Sequence, residues 1–78
     1  MTPEAAIASL LADRGPDKTI CPSEAARLLA DEAGEWHKHM NEVHDAARSL
    51  ASRGEIALSW KGRTKTAPDG PYRIASPG

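Results

Sequence analysis

One cysteine, Cys21, stands in the 78-residue chain, so no internal disulfide can form. Aromatic residues are nearly as scarce: phenylalanine is absent, and Trp36, Trp60 and Tyr72 are the whole set. The N-terminus lacks the basic stretch and apolar run of a secretory signal. No apolar segment approaches the length of a membrane span. These absences predict a reduced, soluble, cytoplasmic protein with no membrane association. Charge of either sign is not in excess either: 10 Lys and Arg stand against 11 Asp and Glu, a net of −1. Strong nucleic-acid binders are usually basic overall, which counts against one here. The nucleophile elbow, the phosphate loop and the zincin pattern are all missing. The chain is therefore expected not to be an enzyme, with no catalytic residue and no cofactor.

What is present fits one small domain. A chain this short buries only roughly 60% of the surface its unfolded form exposes, which leaves no room for a deep, dry cleft. The candidate core is Ile7, Leu10, Leu11, Ile20, Leu28, Leu29, Trp36, Met40, Val43, Leu50, Ile56, Leu58, Trp60, Tyr72 and Ile74. Residues 1–75 are expected to form the domain, with 76–78 as a frayed tail. Charge is unevenly spread. Residues 1–34 hold three basic and six acidic side chains, and residues 35–78 hold seven basic and five acidic, or −3 and +2. A surface for an anion belongs to the second part.

Thr2 and Pro3 open a helix carrying Ala6, Ile7, Leu10 and Leu11 on one face, and Gly15-Pro16 stops it. Thr19-Ile20-Cys21 is a β-branched stretch fit for a short strand. Pro22 then starts a second helix, with Glu24 three residues after Cys21 as in a capping box, an apolar face of Ala25, Leu28 and Leu29, and an end at Gly34. Trp36, Met40, Val43, Ala47 and Leu50 follow at spacings of four, three, four and three. They predict a helical turn over Glu35–His39 and a third helix from about Asn41, a good cap residue, to Arg53, closed by Gly54. Alternation then replaces the helical period: Ile56, Leu58 and Trp60 form one side of a strand, Tyr72 and Ile74 one side of another. Gly62 to Gly70 is expected to be a polar loop, longer than a tight two-residue turn. The predicted class is α+β: a winged helix-turn-helix, a three-helix bundle with a small antiparallel sheet of two or three strands, in the order α-β-α-α-β-β.

The run Thr19-Ile20-Cys21-Pro22-Ser23-Glu24-Ala25-Ala26-Arg27 resembles the opening of a small bacterial family catalogued as a domain of unknown function. So do the Trp36, Met40 and Val43 spacing, the continuation through Ala47 and Leu50, and the Arg53-Gly54-Glu55-Ile56 junction. The likeness runs from about Ile7 to Ile74. It implies a winged-helix fold and no established activity. Family members often have proline where Asn41 stands and more arginine along the third helix. His37, His39 and His44 depart from that pattern and count against strong DNA binding.

If Val43, Ala47 and Leu50 face inward, Asn41, His44, Asp45, Arg48 and Ser52 face out. Such a helix can enter the major groove, where Asn and Arg read base edges. Lys61, Arg63 and Lys65, interleaved with Gly62 and Thr64, can contact phosphate as a wing. Asn41, His44, Arg48, Ser52, Lys61, Arg63 and Lys65 are thus the candidate DNA-binding residues. The plainer reading is a solvated helix face, with hairpin charges that block edge-to-edge aggregation. Duplex DNA is expected to bind weakly to the domain alone, with useful affinity coming from a dimer or a fused domain. The alternative is a protein-interaction module whose partner is another protein or a second copy. No metal site is expected: His37 and His39 would point nearly opposite ways on a helix, and Cys21 has no companion cysteines. Cys21 is expected to be a small buried residue, and Trp36 and Trp60 to belong to the core.

Overall fold

The computed structural model describes residues 1–30 and 35–77. Helix α1 spans Pro3–Arg14. The Thr2 hydroxyl accepts from the Ala5 N–H at 3.1 Å, and the Gly15 N–H donates to the Leu11 carbonyl, so both ends close as expected. Strand β1 is Thr19–Ile20 and helix α2 is Pro22–Ala30. The Cys21 N–H donates to Glu24 Oε2 at 2.7 Å, which is one half of a capping box. The thiol makes no part of the other half, because Cys21 Sγ accepts from Arg73 Nη1 at 2.9 Å. Cys21 is accordingly half-buried, not buried.

The face of α2 differs from the expected one. Ala25, Ala26 and Ala30 are buried and Leu29 is half-buried, while Leu28 is 38% exposed. Positions 25, 26, 29 and 30 form one stripe, and position 28 lies roughly 130° around the helix from its centre. The helix packs through small alanines and turns its bulkier leucine outward. The expected end at Gly34 lies outside the described residues, as does the tail's last residue, Gly78.

A 3-10 turn over Trp36–His39 runs straight into helix α3, Met40–Ser52. Asn41 is therefore not a cap but the second residue of the helix. At the other end Gly54, at φ 73°, lets the chain fold back. Its N–H donates to the Ala51 carbonyl at 3.1 Å, and the Glu55 N–H donates to the Leu50 carbonyl at 2.9 Å, a Schellman closure.

The sheet has four strands in place of the expected two or three: β2 Ala57–Trp60, β3 Arg63–Lys65 and β4 Arg73–Ala75 join β1 in the antiparallel order β1-β4-β2-β3. The additional strand is β3, inside the segment expected to be loop. It exists because Lys61 and Gly62 both take positive φ, 52° and 78°. That is the two-residue turn whose twist suits a hairpin, and it pairs Trp60 directly with Arg63. The expected loop shrinks to the stretch between Lys65 and Arg73.

Register sets the core. Ile20, Ile74 and Leu58 pair in a row across three strands, all buried on one side of the sheet. They join Ile7 of α1 and Val43, Ala47 and Leu50 of α3 in a single cluster, with Leu10, Leu29, Trp36 and Met40 partly buried against it. Trp36 and Trp60 depart from expectation by lying at the rim. Trp60 ends its strand at the tight turn and stays 38% exposed. On the sheet's other side Arg73 donates through Nε to Thr19 Oγ1 at 2.6 Å, tying β4 to β1. Three helices over a small antiparallel sheet make an α+β, winged-helix-like arrangement.

Candidate nucleic-acid interface

Helix α3 positions four of the seven candidate residues. Val43, Ala46, Ala47 and Leu50 are its buried stripe, which leaves Asn41, Arg48 and Ser52 exposed. Arg48 is held along the helix by Asp45, at 3.1 Å between Nη1 and Oδ1. Exposed pairs of this kind contribute little to stability and open readily to a better partner.

His44 does not join that face. Its Nδ1 lies 2.7 Å from the Tyr72 hydroxyl, and the side chain is half-buried. Tyr72 is itself only 3% exposed. Burial pushes its pKa up to about 12, with the nearby Arg48 charge opposing. The phenol therefore stays neutral and able to hydrogen-bond across the physiological range. The pair fastens α3 to the start of β4.

The hairpin splits the remaining three. Lys65 is half-buried, and its ammonium donates to the backbone carbonyls of Asp69 and Pro71, at 3.1 Å for the second. These contacts tie its side chain to the loop that follows β3. Lys61 and Arg63 are exposed and have no carboxylate partner among the described residues. Lys61 is also the only described non-glycine residue with positive φ.

Sequence reasoning missed a groove beside this surface. It is open, about 240 Å³, and lies where Pro22 and Ser23 of α2, Met40 and His44 of α3, Trp60 of β2 and the Gly70–Tyr72 approach to β4 converge. Trp60 and Tyr72 read in the sequence only as members of apolar stripes. No spacing rule signals that one stops short of the core or that the other meets a histidine 28 positions away.

The other histidines have separate partners. The His37 ring stacks on Trp36 with centroids 3.7 Å apart, and His39 Nδ1 is 3.4 Å from Glu42 Oε2. Among the described residues no three His, Cys, Asp or Glu side chains come together as a ligand set for a metal ion. No described helix is long and apolar enough to cross a membrane.

Fold and surface together define a small α+β domain of winged-helix-like build, with an exposed helix face and a cationic hairpin turn. The chain belongs to the family described as Protein of unknown function (DUF3253), whose model matches residues 2–77. No curated protein matches the sequence.

Proposed function

We propose that this domain binds duplex DNA and is not an enzyme. Helix α3 enters the major groove with Asn41, Arg48 and Ser52 toward the base edges, and the β2–β3 turn lays Lys61 and Arg63 against phosphate. His44 and Lys65 drop out of the interface because other parts of the domain already hold them. The observation that carries the reading is Lys61. A lysine in the left-handed region costs roughly 1–2 kcal/mol that glycine at the same place would not. Strain of this kind collects where a side chain serves a ligand. Here it sets an unpaired cation beside a second one, Arg63.

The test is the salt dependence of duplex affinity. Removing one cation that touches phosphate should lower the log–log slope by roughly one. Lys61→Ala and Arg63→Ala are each expected to show that decrease, and Lys65→Ala to leave the slope unchanged. Equal slopes for all three variants and the parent would count against the reading.

A protein-interaction role has its own support in the apolar surface left at Leu28 and Trp60, each 38% exposed. For that role affinity would follow apolar area and not salt.

A further inference from the structure

Trp60 and Arg63 are register partners, so both side chains leave the sheet on the face that also carries Leu58 and Ile74. Trp60, Tyr72, Met40, His44 and Ser23 all line the groove. Its lining is mostly apolar, and the His44–Tyr72 hydrogen bond ties two of the lining residues together. Its size suits one planar ring system. Next to Trp60, one in sequence and the other in register, Lys61 and Arg63 offer positive charge with no carboxylate partner among the described residues.

A ring for the groove and an anion for the adjacent cations occur together, one short linkage apart, in a nucleotide. In an intact duplex the bases are stacked inside and cannot enter such a site. An unpaired base needs far less energy to expose. Aromatic platforms flanked by cations are also how single strands are held without reading their sequence. A peptide can supply a ring, but it carries no anion at a fixed distance from every ring.

We propose that the groove takes the base of one unpaired nucleotide, stacked against Trp60, in a strand whose phosphate lies on Arg63 and Lys61. This rests on the DNA-binding reading and narrows it to DNA that is locally open.

The test compares a labelled duplex with the same duplex carrying one unpaired nucleotide, by fluorescence anisotropy at low salt. The unpaired form is expected to bind roughly tenfold tighter. Trp60→Ala should erase that difference and Trp60→Phe should keep most of it. Both variants are expected to fold, since Trp60 sits at the rim, and far-ultraviolet circular dichroism checks this. Equal affinity for the two DNAs would overturn the groove assignment and leave duplex binding standing. Binding to neither would overturn both. Trp60-dependent capture of an acidic aromatic peptide, with the two DNAs still bound equally, would give the groove to a protein partner and overturn it as well.

Discussion

At the scale of the residue, Glu24 joins more of the chain than any other carboxylate described. Its Oε2 accepts from the Cys21 N–H at the start of α2, and its Oε1 meets Arg14 Nη2 at the end of α1, at 2.5 Å. The Arg14 hydrogen bond, helped by the Cys21 N–H, holds the carboxyl below its ordinary range, against a desolvation effect of opposite sign. A group whose folded pKa is depressed contributes stability above its unfolded value, near 4.3, and loses it as pH falls through the folded one. Glu24→Ala should therefore cost about 1 kcal/mol at neutral pH, the usual worth of a helix cap. The gap between variant and parent should narrow as pH falls below about 4.3 and through the folded pKa. Urea midpoints across a series of acidic pH values measure this, and a gap that stays constant with pH would show that the carboxylate charge plays no part.

At the scale of the element, the β2–β3 hairpin offers the sharpest test, because folding and the proposed phosphate contact make opposite demands on its turn. Asparagine tolerates the left-handed conformation better than lysine, and Asn-Gly is the favoured pair for this turn. Lys61→Asn is expected to stabilise the domain by about 1 kcal/mol while weakening its hold on DNA. Thermal unfolding and anisotropy on one preparation measure both, and a variant stabilised with affinity unchanged would remove Lys61 from the interface. The same turn shows where the sequence stops being legible. The caps at Thr2 and Gly15, the period of α3, its closure at Gly54 and the alternation of β2 and β4 are local signals, and the structure bears them out. Lys-Gly is not a pair that announces a tight turn, so β3 reads as loop in the sequence. On α2, the leucine spacing suggests one face, whereas packing against two neighbouring helices selects the alanines. Residue type and exposed-looking position are what point His44 and Lys65 toward the interface. His44 finds its partner, Tyr72, only through the tertiary fold, 28 positions on, while Lys65 turns back onto the carbonyls of Asp69 and Pro71 in the irregular loop that follows it, whose course no regular period encodes.

At the scale of the whole molecule, a net charge of −1 sets how DNA could be bound. Long-range attraction is slight, so affinity must come from a few cations placed close to phosphate, and it should be weak for one copy of the domain. Several cations are already matched within the fold: Arg14 with Glu24, Lys38 with Glu35, Arg48 with Asp45 and Arg53 with Glu55. Lys61 and Arg63 stand apart from these pairs, at the hairpin turn. The measurement that bears most directly on the DNA-binding reading is a titration of the domain with mixed-sequence duplex at low salt, followed by backbone amide shifts. Shifts confined to residues 41–52 and 61–66 that fade as salt is added are the expected result. An unchanged spectrum at millimolar duplex, or shifts indifferent to salt, would contradict it.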